Sequence, residues 1–170
     1  MHKRKSVALE AVAAETKAYR PLLIVSSYNN SEFIFSKDKT LKFPFSGMQW
    51  LEEVVIQYGA SLQGRIDSFC HLTNAHQKPC ILISEQTMNM YFPIRGKDNP
   101  ENVFVYFNKV MDIQQTKNNH TRIYFGNGYS YEVPCDYRTV KSQMKRCDQF
   151  IHTVMQNKKN LVIDFREIYH

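Results

Sequence analysis

Residues 121–133 read TRIYFGNGYSYEV, with two alternating runs of apolar and polar side chains around Gly126-Asn127-Gly128. Asn-Gly between such runs is typical of a β-hairpin, because a type I′ turn needs positive φ at both central positions. We therefore predict strands at 121–125 and 129–133. An antiparallel hairpin late in the chain indicates a fold built on antiparallel sheet.

Further strands are predicted on the N-terminal side of the hairpin. Apolar or alternating runs of strand length lie at 22–27, 32–36, 66–72, 80–83, 88–92 and 103–107. Asn29-Asn30 is predicted as the turn between the first two. The run at 66–72 alternates so that Ile66, Cys70 and Leu72 share a face.

Two helices are predicted. The first covers 48–58, with Ser46 and Gln49 at capping-box spacing and Gly59 as a left-handed C-terminal cap. The second begins at Asp136 as N-cap. Its buried face comprises Tyr137, Val140, Met144, Cys147, Ile151, Val154 and Met155. A further short element is predicted over 161–169. The fold class is therefore α+β: a mostly antiparallel β-sheet or half-barrel with a short early helix and a longer C-terminal helix.

The 170 residues suit a single domain. We predict a mobile or marginally helical arm over 1–20, with ordered structure beginning after Pro21, then one domain over 21–157 and a short tail over 158–170. The net charge of +6 favours a polyanionic partner, either nucleic acid or an acidic membrane surface.

The chain is expected to be cytoplasmic. Its four cysteines form no CxxC pair and are expected to be reduced thiols. The basic residues Lys3-Arg4-Lys5 precede an apolar run, as in a secretory signal peptide. Glu10 and Glu15 interrupt that run, so the segment is not expected to be such a signal. No stretch reaches the ~20 apolar residues of a membrane span.

Motifs for catalysis and cofactors are missing from the sequence. Gly59 and Gly64 have the spacing of a phosphate-binding loop, but Arg65-Ile66 stands where Lys-Ser/Thr belongs, so we predict a turn there. Cys70, His71, His76 and Cys80 do not match zinc spacing. We expect no metal, no cofactor and no enzymatic activity.

Basic residues carry the functional prediction. Loop cations can reach phosphates, and arginines can enter a narrow minor groove. The candidate DNA-binding residues are Arg65, Lys78, Arg95 and Lys97 on loops, with Arg138, Lys141 and Lys145 on the late helix.

A family resemblance rests on the order of several short motifs. They are 58–65 (YGASLQGR), 76–83 (HQKPCILI), 90–93 (MYFP), the 103–113 strand region, the Asn-Gly hairpin, and the helix start at 133–137 (VPCDY). Over about 22–154, the chain resembles the ComK family of bacterial competence transcription factors. Cys80 replaces a second proline, and the region after the long helix is shorter than is usual in that family.

The resemblance implies a transcriptional activator of DNA-uptake genes. Such a protein would bind double-stranded DNA with A-rich and T-rich boxes, largely through the minor groove, as a homo-oligomer (dimer or higher). A protease adaptor is a further partner in the family, but its control is assigned to the longer C-terminal region from which this chain departs. No membrane partner is expected. Two alternatives remain open from the residues themselves: a non-catalytic module that binds anionic lipid or a protein, and a nuclease, for which no carboxylate cluster is present.

Overall fold

The computed structural model describes the backbone of residues 2–168 and the side chains of residues 8–160. Helices are α1 (His2–Glu15), α2 (Gly47–Gln57), α3 (Leu62–Thr73) and α4 (Tyr137–Ile168). Strands are β1 (Leu23–Ser27), β2 (Asn30–Ile34), β3 (Thr40–Phe43), β4 (Ile81–Ser84), β5 (Asn89–Pro93), β6 (Glu101–Tyr106), β7 (Val110–Gln115), β8 (Thr121–Phe125) and β9 (Ser130–Val133). The predicted α+β class is confirmed.

The larger sheet is fully antiparallel and has the order β3-β2-β1-β6-β5-β4. Its centre is the pairing of β1 with β6, in which Leu23 lies opposite Val105. β7, β8 and β9 form a separate three-stranded sheet. The short 3₁₀ turn Phe107–Lys109 joins the two sheets.

Both faces of the six-stranded sheet are covered, and each face has its own core. One face carries Ile24, Phe33 and Phe104, which pack with Trp50 and Val54 of α2. The opposite face carries Leu23, Phe92 and Val105, which pack with the small sheet and α4. Period-two alternation along each strand therefore supplies both cores.

The hairpin of β8 and β9 is confirmed, but its turn is not the type I′ turn that was predicted. Gly128 has φ of 81°, whereas Asn127 does not lie at positive φ. The N–H of Gly128 donates to the carbonyl of Phe125 over 3.0 Å, and the N–H of Phe125 donates to Tyr129 over 2.8 Å. The type I′ geometry predicted for Asn-Gly is thus wrong, because the loop closes with one left-handed glycine at its end.

The early helix is confirmed with its cap. The Ser46 hydroxyl accepts from the N–H of Gln49, and the Gln49 side chain accepts from the N–H of Ser46 at 2.8 Å. Gly59 follows at φ of 76°, as predicted for a left-handed cap. The turn that Asn29-Asn30 was expected to form lies at Tyr28-Asn29 instead, with Tyr28 at φ of 51°.

The strand predicted at 66–72 is wrong, because these residues lie in α3. Ser61 caps this helix by accepting from the N–H of Gly64 over 2.9 Å, which starts helical geometry before the alternating run. Ile66 and Phe69 then share its buried side, three residues apart. Phe69 packs on Phe150 of α4 with ring centroids 5.4 Å apart.

The N-terminal region carries a packed helix. Ala13 is fully buried against α2, and Thr16 is also buried. Ordered packing therefore begins before Pro21, earlier than the sequence predicted. At the other end α4 continues without interruption to Ile168, so residues 161–168 of the short element expected over 161–169 are the end of one helix, and Tyr169 lies outside the described residues. Met155, predicted on its buried face, is 48% exposed.

Candidate nucleic-acid interface

The start of α4 is fixed by its cap. The Asp136 carboxylate accepts from the N–H of Thr139 over 2.7 Å, as predicted for an N-cap. This bond, assisted by the nearby charges of Lys78 and Arg138, lowers the pKa of Asp136. Lys78 comes from the loop before β4, so the capped helix end and that loop lie side by side.

An open cleft of about 230 Å³ separates the loop from the first turns of α4. Its walls are Gln77, Lys78, Asp136, Arg138, Thr139, Ser142, Gln143 and Arg146. Helix N-termini present free backbone donors and a positive dipole end, and hydroxyl and cationic side chains are the usual partners of phosphate oxygens. The cleft therefore combines several groups suited to a polyanion.

The side chain of Gln143 connects the walls of the cleft by hydrogen bonds. Its side chain is 1% exposed, and its Nε2 donates to the carbonyl of Lys78 over 3.0 Å and to that of Pro93 over 2.8 Å. Its Oε1 accepts from Nη1 of Arg146 over 3.0 Å. One buried amide thus joins the Lys78 loop, the end of β5 and a cation of α4.

The loop after β5 carries Arg95 and Lys97. Buried Asn102 anchors it by accepting from the N–H of Arg95 over 3.1 Å and donating to the carbonyls of Arg95 (3.1 Å) and Gly96 (3.3 Å). Arg95 lies 3.9 Å from the Glu101 carboxylate. The Cys135 Sγ donates to the carbonyl of Ile94 over 3.9 Å, so the start of this loop lies beside the residue that precedes the Asp136 cap.

Three further predicted cations follow the exposed side of α4. Arg138, Lys141 and Lys145 are all exposed, three or four residues apart, so they lie along one face of the helix. Lys141 Nζ lies 5.8 Å from the centroid of the Tyr137 ring. Among the described residues, these three cations form no ion pair.

Arg65 does not join this group. It lies in α3 rather than on a loop, because the turn at Tyr58-Gly59 ends before Ser61 and the predicted strand is part of the helix that Ser61 caps. Its Nη1 is 3.2 Å from the Glu85 carboxylate, and its side chain is only 12% exposed. Glu85 follows the far end of β4, where Lys158 Nζ also approaches it at 3.6 Å. Arg65 is therefore neutralised, at the opposite end of β4 from Lys78.

The structure thus places Lys78 and Arg138 in one cleft, and the loop of Arg95 and Lys97 begins beside Cys135 at the same end of α4. Sequence reasoning left Arg146 out of the candidate set, although its spacing from Ser142 and Arg138 places it beside them on α4. We call these cations the basic surface: Lys78, Arg95, Lys97, Arg138, Lys141, Lys145 and Arg146.

The cysteines and histidines considered for zinc are dispersed. Cys70 and His71 lie in α3, His76 in the following loop, and Cys80 is buried before β4. Throughout the described residues, no three His, Cys, Asp or Glu side chains gather as a metal site. The four cysteines are free thiols. None of the helices in the described part of the chain is long and apolar enough to cross a membrane.

Comparison with known proteins gives two findings. The family model described as ComK protein matches residues 12–159. The competence transcription factor of Bacillus subtilis (strain 168) is 23% identical over 113 residues, which are 66% of this chain and 59% of that relative. The match thus spans well under two thirds of the relative's length. No solved structure matches.

Proposed function

The chain belongs to the ComK family, and from this premise we propose that it is a DNA-binding regulator of competence transcription. The similar Bacillus subtilis protein is named a competence transcription factor, which supports the same role here. We propose that the protein acts by binding DNA and that it is not an enzyme.

One observation carries the proposal: cations from three separate chain segments converge at the capped start of α4. Lys78 and Arg138 line one cleft, and the loop that carries Arg95 lies beside Cys135, the residue before the cap. Arginine and lysine side chains and helix N-termini are usual sources of phosphate contacts, and this end of α4 offers both. Lys141 and Lys145 extend the surface along α4, in the direction a duplex backbone could follow.

We further propose that the loop of Arg95 and Lys97 reads A·T-rich boxes through the minor groove. A·T tracts narrow this groove and strengthen its negative potential, which favours inserted arginine and lysine. Asn102 keeps the loop in one conformation, so little ordering is needed on binding. In this proposal two or more copies of the chain bind the paired boxes, and a protease adaptor is a further protein partner.

The test is fluorescence anisotropy with two labelled duplexes of equal length. One carries paired A-rich and T-rich boxes, and the other is G·C-rich. We expect tighter binding to the first, surviving near-physiological salt, and an affinity that falls with salt as counterions are released. Equal binding to both, abolished by salt, would contradict sequence-selective recognition.

Matched variants localise the interface. Lys141→Gln and Lys145→Gln should each weaken binding and reduce the magnitude of the salt slope by about one. Lys37→Gln removes an exposed lysine after β2, outside the basic surface, and should change neither quantity. If the duplexes do not bind and the protein instead sediments with anionic vesicles, the lipid-binding alternative is correct.

A further inference from the structure

A second cationic region lies at the other ends of the strands. β6 starts at Glu101, beside Arg95, and ends at Tyr106, which lines a cavity of about 430 Å³. Six strand residues span roughly 17–20 Å. The cavity and the basic surface are therefore separate.

The cavity has the lining expected of an anion site. Lys17, Arg20 and Lys109 are its charged residues, and none of its lining residues is acidic. Its walls include the segment before β1, the end of β2 and the β8–β9 turn. The N–H of Gly126 in that turn donates to the carbonyl of Lys109 over 3.0 Å, which fixes one wall against another. Its volume lies in the range of ~300–1,000 Å³ common for small-molecule sites.

Arg20 is the central cation of this cavity. Its Nη2 donates to Oη of Tyr58 over 2.9 Å. With the Asn89 amide oriented so that both its polar atoms are bonded, Asn89 accepts from Arg20 Nε at 3.2 Å and from Tyr106 Oη at 3.1 Å. Nη1 of Arg20 is buried without a hydrogen-bond partner. All its partners are neutral, and within the described residues it forms no ion pair.

The neighbouring cation, Lys17, also has an uncharged contact, the aromatic ring of Tyr58. Lys17 Nζ and the Arg20 guanidinium lie 5.7 and 5.6 Å from the centroid of the Tyr58 ring. Like charges at one ring repel each other, and a partly buried guanidinium is costly without a counter-charge. An anion in the cavity would remove both costs.

We propose that this cavity binds a small phosphate-bearing molecule of about mononucleotide size. The phosphate would be held by Lys17, Arg20 and Lys109, because phosphate is well matched to a cluster of cations. The organic part would lie against Tyr19, a residue that is 53% exposed and whose ring stacks on that of Phe35 with centroids 5.5 Å apart. The separation from the basic surface allows ligand and DNA to be bound together.

Isothermal titration calorimetry on the full chain tests the proposal with adenosine monophosphate, inorganic phosphate and adenosine. We expect adenosine monophosphate to bind and phosphate to compete with it, while adenosine alone binds much more weakly. The double variant Lys17→Gln/Lys109→Gln should weaken nucleotide binding by about tenfold or more. Both lysines are exposed, so the fold should not change. The matched control Lys37→Gln/Lys117→Gln removes two exposed lysines that do not line the cavity.

Three results would overturn the proposal. The first is the absence of any heat from adenosine monophosphate and phosphate at millimolar concentrations, and the second is equal weakening by the control variant. The third is a loss of duplex affinity in Lys17→Gln/Lys109→Gln, with nucleotide and duplex competing, because the site would then hold DNA phosphates. Nucleotide binding without any duplex binding would leave the cavity proposal standing and contradict the proposed function.

Discussion

Trp50 donates its indole N–H to Oγ1 of Thr16 over 3.1 Å, and both side chains are buried. Thr16 in turn donates to the carbonyl of Val12 over 2.8 Å. This short chain of hydrogen bonds joins the end of α1 to the middle of α2. The contact fixes α1 against the core that contains Phe33 and Trp50.

Thr16→Val should therefore destabilise the protein. The valine keeps the shape of the side chain but leaves a buried indole N–H without an acceptor, at a cost of about 1–3 kcal/mol in unfolding free energy. Urea unfolding measures this change. The emission of Trp50, the single tryptophan, reports on the same contact. An unchanged urea midpoint would mean that α1 does not depend on this bond.

Gln143→Leu should perturb the structure of the proposed interface without removing any of its cations. It leaves the carbonyls of Lys78 and Pro93 without their donor, at a cost of about 1–3 kcal/mol. We expect weaker duplex binding with an unchanged salt slope, because no cation is lost. Gln149→Leu, on the exposed side of the same helix, is the control and should alter neither stability nor binding. A reduced slope in Gln143→Leu would show that Lys78 or Arg146 had left the duplex.

Arg65→Ala should affect stability more than DNA binding. Loss of the pair with Glu85 and of the buried side-chain stem should cost about 1 kcal/mol, since Glu85 itself is half exposed. The salt slope of duplex binding should stay as in the wild type. Lys78→Gln should give the opposite pattern, a smaller slope with nearly unchanged stability. If Arg65→Ala reduces the slope as Lys78→Gln does, Arg65 belongs to the interface after all.

The Asp136 cap should make stability depend on pH. Hydrogen bonding from Thr139 lowers the pKa of Asp136 in the folded protein below its unfolded value of about 3.9. Its contribution is therefore fully present above about pH 4 and is lost as pH falls through the folded pKa. Asp136→Ala should lower the urea midpoint at pH 7, and this difference should shrink towards pH 3. A difference that stays constant with pH would mean that the carboxylate charge does not stabilise α4.

Local signals in the sequence located most of the elements. Ser46 with Gln49 marked the start of α2, and Asp136 marked the start of α4, because a cap depends on residues only three apart. The strand prediction for residues 66–72 was wrong because Ile66, Cys70 and Leu72 satisfy a period of two. The buried pair Ile66 and Phe69 satisfies a period near 3.6, and Ser61 decides in favour of the helix.

The cations of the basic surface could be named from the sequence, but their positions relative to one another could not. Lys78 and Arg138 were chosen for charge, but their proximity depends on Gln143, a polar residue that sequence patterns assign to the exterior. Arg65 was chosen on the same grounds. Its pairing with Glu85 joins residues from two elements and becomes visible only once α3 is packed beside β4. The cavity lined by Lys17, Arg20 and Lys109 likewise draws its residues from five separate segments of the chain.

The β1–β6 pair at the centre of the larger sheet sets the order in which the chain can fold during synthesis. Leu23 leaves the ribosome about eighty residues before Val105, its partner. Until then, β1 can pair only with β2, and the two cores lack the strand that joins them. Closing so long a loop is slow, since its entropy is lost before the contacts form. We therefore expect β1 to stay without its central partner until β6 has been synthesised, which leaves its apolar side chains exposed in the nascent chain.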